Sequence, residues 1–177
     1  MLDTKLTIAG LYSMKEIEGI IYSCKKRISL LTSFKYNINM VPTIHIFDKV
    51  QELSKRIENL CILKNAIYTA LLKVTPIQKK IIKLFYFENK MSNQVMKQLN
   101  LSVGQFKHNK RSAVETIAFF MFMFGFTTDR FVEYFNEETV IVRKYIKQQR
   151  YIKNAKNFKS CGAVEPLYMQ ESVGRML

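Results

Sequence analysis

V-T-P-I-Q-K-K-I-I-K-L-F-Y-F-E-N-K-M-S-N-Q-V-M-K-Q-L-N-L-S-V-G-Q-F-K-H-N-K-R-S-A-V-E-T-I, residues Val74–Ile117, runs into the apolar block Ala118–Phe126. Its centre, Leu99-Asn100-Leu101-Ser102, reads as a turn between two helices. Leu99 closes the first. Asn100 tolerates the left-handed backbone that a tight turn needs. Ser102 is an N-cap, and Gln105 three residues on completes a capping box, with Leu101 and Phe106 placed as a hydrophobic staple. Three local signals agree on one helix start.

The helix that begins there carries Gln105, Lys107, His108, Lys110 and Arg111. Amide and basic side chains of this kind reach phosphates and base edges. A solvated charged face on an ordinary bundle is the alternative reading of the same residues. Upstream, Thr75-Pro76-Ile77-Gln78 is a second capping box with proline at the first helical position. The chain then continues inward through Ile81, Ile82, Leu84 and Phe85 to about Glu88, turns at Asn89-Lys90, and forms a short helix over Ser92–Leu99 with Val95, Met96 and Leu99 inward.

The string Thr75–Ser102 resembles region 4 of bacterial sigma-70 factors: a helix ending in an aromatic-rich turn, a short helix, a turn, then the DNA-reading helix. Small phage regulators of the RinA and ArpU type, which activate late genes, resemble the same module joined to an unrelated helical N-terminal part. The match covers about 45 residues from Thr75 onward. It implies promoter DNA binding and contact with RNA polymerase. This chain departs from the pattern at Asn100 (usually Gly), Met96 (usually Ala) and Lys110 (usually apolar), which bears on docking more than on fold. No aromatic-rich melting segment of sigma region 2 is visible in residues 1–73.

Composition agrees with a polyanionic partner. Twenty-eight Lys and Arg stand against 14 Asp and Glu, a net charge of +14, which favours nucleic acid first and an acidic membrane surface second. A lysine-rich compositional bias would produce the same excess. The 177 residues are 48% hydrophobic, enough for a substantial core and against global disorder. Cys24, Cys61 and Cys161 are odd in number and widely spaced, so they read as free thiols of a reducing cytosol. No Cys/His spacing fits a zinc site, and the start Met1–Lys5 does not read as a signal peptide. Gly-rich phosphate loops, Ser/His/Asp orders and clustered carboxylates are missing, so neither an enzyme nor a cofactor is expected.

The N-terminal region, residues 1–73, reads as helical. Residues 1–11 are taken as a short helical turn or a docking strand, and Ser13-Met14-Lys15-Glu16 as a capping box stapled by Tyr12 and Ile17. Ile17, Ile20, Ile21, Cys24, Ile28 and Leu31 share the inner face of the helix that follows, with Lys25, Lys26 and Arg27 outside. Asn37, Asn39 and Pro42 mark a loop, Thr43–Phe47 a stretch of extended chain, and His45 a hydrogen-bonded structural histidine. From Asp48 to Val74 a long helix carries Val50, Leu53, Ile57, Leu60, Ile67, Leu71 and Val74, a seam interrupted only by Lys64, for which Leu63 compensates. That seam packs either on the first helix or, in a homodimer, on a second copy.

Beyond the 74–126 module, Ala118–Phe126 is apolar all round and too short to span a bilayer, so it is expected to be buried on several sides, as core or as a core shared between subunits. Residues 127–159 form two more helices, with Phe131, Val132, Tyr134 and Phe135 feeding the core from the first. The second carries Arg143, Lys144, Lys147, Arg150, Lys153, Lys156 and Lys159 with no acid between Thr139 and Ser160, a phosphate-tracking surface. A second helix-turn-helix here is disfavoured by Glu137 at an apolar turn position. Residues 160–177 read as a tail. The expectation is an all-α, multi-helix bundle with a sigma region 4-like helix-turn-helix: a cytoplasmic regulator that binds double-stranded DNA. The alternative is a sigma-like interaction protein that grips RNA polymerase or another protein without reading DNA. Replacing Ser102 by alanine should cost about 0.5–2 kcal/mol, read as a lowered midpoint in urea unfolding.

Overall fold

The computed structural model describes residues 2–33 and 43–160, with side chains over 2–33 and 44–150. It is all helical, with no strand among the described residues. The helices are α1 (Thr4–Thr32), α2 (Thr43–Ala70), α3 (Pro76–Ile82), α4 (Ser92–Leu99), α5 (Val103–Met123), α6 (Thr128–Phe135) and α7 (Thr139–Ser160); a single π-helical turn, Lys83–Phe87, prolongs α3.

Three N-terminal features differ from the sequence reading. Helix α1 begins at Thr4, where the Asp3 carboxylate caps it by accepting from the Lys5 N–H at 2.9 Å. Ser13 therefore lies inside a helix already under way. Its hydroxyl donates to the Ala9 carbonyl at 2.8 Å and caps nothing. Thr43–Phe47 is the first turn of α2, not extended chain, and His45 is exposed there. The loop expected around Asn37, Asn39 and Pro42 lies outside the described residues, as does the tail beyond Ser160.

Helices α1 and α2 run antiparallel: Gly10 faces Leu63 and Ile67, Glu18 meets Lys64 at 2.6 Å, and Cys24 lines a groove with Leu53 and Arg56. The α2 seam is thus used within the chain. Leu53, Leu60, Leu63, Ile67 and Leu71 are buried, with Val50, Ile57 and Val74 half-buried. Lys64 escapes the seam by pairing with Glu18, whose hydrogen bond holds the ammonium pKa above its usual value.

Helix α7 lies antiparallel along α1, with Lys5 Nζ donating to Gln149 Oε1 at 3.1 Å and Lys144 pairing with Glu16 at 3.3 Å. Its start is fixed by Glu138, the residue before the helix. That carboxylate is 7% exposed and accepts two bonds from the Arg56 guanidinium of α2, at 2.5 and 2.8 Å. Helix α6 is capped by Thr127 and is tied to the start of α1, where the Asp3 N–H donates to Thr128 Oγ1 at 3.2 Å. Phe131 and Phe135 are buried as expected, whereas Val132 faces outward.

The main core joins α1, α2, the middle and end of α5, and α6; a smaller cluster of Ile81, Leu84, Val95 and Phe106 holds α3, α4 and the start of α5. Phe85 touches both. The apolar block departs from its expected burial. Met121 and Phe126 are inside, but Phe119, Phe122, Met123 and Phe124 are exposed. No helix of the described residues is long and apolar enough to cross a membrane.

The Arg56–Glu138 pair makes an ordering testable. Arg56→Met strands a buried carboxylate, while Glu138→Gln strands a guanidinium whose side chain is 40% exposed and still reaches water. Urea titrations should show Arg56→Met as the costlier change, by about 1 kcal/mol or more, within the roughly 1–5 kcal/mol range between exposed and buried pairs.

Candidate nucleic-acid interface

Asn89 and Asn100 are the two non-glycine residues with positive φ among those described, one at each end of α4. Asn100 sits at φ 52°, ψ 50°, and beside it the Leu101 N–H donates to the Met96 carbonyl at 2.9 Å, which closes α4 as a left-handed cap does. The chain is then in extended geometry at Ser102, and α5 begins. Ser102 Oγ accepts from the Gln105 N–H at 3.2 Å, and Gln105 Oε1 accepts from the Ser102 N–H at 3.0 Å. Ser102 and Gln105, two of the residues expected to contact DNA, are thus occupied with holding the helix start in place. Leu101 packs with Phe106 in the smaller core cluster, as the staple requires. At α4's own start the Met91 N–H donates to Gln94 Oε1 at 3.0 Å.

The exposed side chains of the first α5 turns fall into two kinds. Lys107 and His108 face solvent. Asn109 donates back to the Gln105 carbonyl at 2.8 Å. Arg111 is 84% exposed and donates to Glu115 Oε1 at 2.7 Å, a bond that raises its already high pKa. Lys110 is drawn back: its ammonium lies 4.6 Å from the Phe85 ring centroid and 5.2 Å from that of Phe106. Desolvation there, with the charge of nearby Lys107, pushes its pKa down. Cation–π attraction compensates part of that loss of hydration. Lys110 stands where the sigma-like pattern has an apolar residue, and its stem serves as one.

Gly104 occupies the second residue of α5. A Cβ there would meet only Ser102 Oγ, at 4.0 Å. No internal contact demands glycine at a helical position that glycine weakens.

On α7, Arg143, Lys147 and Arg150 are exposed and, with Ile146, line a shallow depression of about 390 Å³. Lys144 turns inward instead, to Glu16 and over the Tyr12 ring at 6.0 Å. Lys153, Lys156 and Lys159 continue the helix, but their side chains are outside the described residues.

No family model, no curated protein and no solved structure matches the chain. Among the described residues no group of three His, Cys, Asp or Glu side chains is placed to hold a metal. The sequence reading missed Glu138, whose role as anchor of the basic helix is signalled only by an acid directly ahead of a helix start. It also missed Phe85 as the platform beneath Lys110.

Gly104→Ala separates stability from binding. It should raise stability by about 0.5–1 kcal/mol, because alanine costs the helix less than glycine. If the α5 backbone approaches a duplex closely, the same methyl should weaken duplex binding, measured by fluorescence anisotropy beside thermal unfolding.

Proposed function

We propose that this chain is a DNA-binding transcription regulator that reads duplex DNA with the start of α5. One observation carries the reading: the two turns from Ser102 to Arg111 are polar, exposed and rigidly held, by a reciprocal cap on one side and by Phe106 in the smaller core on the other. In a helix-turn-helix the start of the second helix enters the major groove and its early residues meet base edges. Gly104 lets the backbone approach, Lys107 and His108 reach phosphates or bases, and Arg111 presents a planar fork suited to guanine. Arg143, Lys147 and Arg150 supply phosphate contacts elsewhere on the surface. The resemblance to phage late-gene regulators makes activation the expected sign of control.

The alternative, an interaction protein that grips RNA polymerase or another protein without reading sequence, draws on the Arg111–Glu115 pair, which already engages the guanidinium. The pair is exposed and therefore weak and screened by salt, and a guanine edge offers the guanidinium two acceptors at once, which favours the DNA reading. Binding of RNA polymerase is implied by the resemblance alone and carries no part of this reading.

Salt titrations on a selected site and on random duplex test the division of labour. Arg111→Ala should lose roughly 1–3 kcal/mol on the selected site and relax sequence preference there. Lys147→Ala should weaken all duplexes alike and reduce the salt slope by about one unit. Equal loss on both duplexes for Arg111→Ala refutes the reading role, and unchanged binding by both variants refutes the surface.

A further inference from the structure

Helix α1 carries two glycines, and one of them has a packing reason. At Gly10 a Cβ would meet Ile67 and Leu63 of α2 at 3.5 and 3.9 Å, so the two helices approach closely there. At Gly19 it would meet nothing within 4 Å. Glycine in the middle of a helix weakens it relative to alanine, and no contact among the described residues demands glycine at this position. Gly19 instead forms part of the wall of a groove of about 500 Å³ between α1 and α2, within the size range of small-molecule sites.

The floor of the groove is apolar, made by Ile20, Cys24 and Leu53, and its donors are Ser23, Arg27 and Arg56. Each of the three has hydrogen-bonding capacity that the protein leaves unused. Ser23 makes no hydrogen bond among the described residues, although Ser13 and Thr32 of the same helix both donate to the carbonyl four residues back. Arg27 makes no hydrogen bond or salt bridge among the described residues, and the nearby Glu52 is engaged by Lys49. Arg56 commits Nε and one Nη to Glu138, which leaves its other N–H donors without a protein partner. The one acid that lines the groove, Glu16, is paired with Lys144 at 3.3 Å. The groove therefore presents positive charge and unused donors beside an apolar floor.

We propose that this groove binds a small organic anion, with an apolar body along the open wall at Gly19, over Ile20 and Leu53, and a carboxylate or phosphate head taken by Ser23, Arg27 and Arg56. Gly19 and Arg27 are eight residues apart, about 12 Å along the helix, which suits a medium-chain or aromatic acid rather than a bare ion. The planar fork of arginine takes either head group through two parallel hydrogen bonds. A side chain at position 19 would fill the space that the body occupies, which gives the glycine its reason. The site does not depend on the reading of DNA by α5.

The test is isothermal titration calorimetry on the full chain at fixed ionic strength, with octanoate, phenyl phosphate, 1-octanol and inorganic phosphate as probes. Two variants locate the binding. Gly19→Leu fills the wall with a good helix former, and Arg27→Gln removes the charge from an exposed position; circular dichroism shows that both keep the fold. Octanoate or phenyl phosphate should bind at millimolar concentration or below, roughly tenfold or more tighter than 1-octanol or inorganic phosphate. The tighter of the two anions identifies the head group as carboxylate or phosphate. Arg27→Gln should weaken that binding by roughly tenfold, the loss expected for a hydrogen bond to a charged group, and Gly19→Leu should abolish it. Binding of neither anion, equal binding of 1-octanol or of inorganic phosphate, or binding that either variant leaves unchanged overturns the proposal.

Discussion

The ring of Phe85 is the joint on which the arrangement turns. It stands 6.2 Å from Tyr12 of α1, 5.0 Å from Tyr86 and 5.8 Å from Phe106 of α5, and it carries the Lys110 ammonium on its face. Among the described residues it packs against both core clusters. The π-helical turn places it there. One widened turn after α3 directs Tyr86 into the main core, where burial pushes its phenol pKa up, while Phe85 points between the two clusters. Edge-to-face contacts of this kind add about 0.5–1.5 kcal/mol each beyond the area they bury. They also fix an angle: the α3–α5 head is oriented on the α1–α2 hairpin through this cluster and through the long body of α5.

That orientation gives the surface its division. Helix α5 is anchored in the small core at Phe106 and in the main core from Ala113 to Met121, so its outer face is rigid over its whole length. Polar residues occupy the first half of that face and apolar ones the second. The basic helix α7 is held separately, by Glu138 at its start and by Gln149 and Lys144 along α1. Cations on two independently anchored helices suit a partner with charge spread along its length, as a nucleic acid has.

How much of this could be read beforehand depends on the range of the interaction. The caps at Thr75 and Ser102 are local, and the turn at Asn100 needs only a residue that accepts positive φ; all are legible from a few neighbouring residues. The same local pattern misleads at Ser13, because a box cannot reveal that a helix began ten residues earlier at Asp3. Thr43–Phe47 misleads for a related reason: β-branched residues suggest extended chain, but continuity with α2 overrides a weak preference. Arg56 and Glu138 are 82 residues apart, and no pattern along the chain joins them. The apolar block of α5 was legible as unusual, yet which half would be covered depends on where α6 and α1 lie.

Repeated capture of random-sequence duplexes by the full chain, followed by sequencing, tests whether the exposed helix start reads base edges. Enrichment of one short motif that contains a guanine at a fixed position, bound more tightly than the starting pool at the same salt concentration, is the expected result. A pool that remains random while binding stays strongly salt-dependent would show phosphate contact without reading, and would rule out a base-reading role for α5.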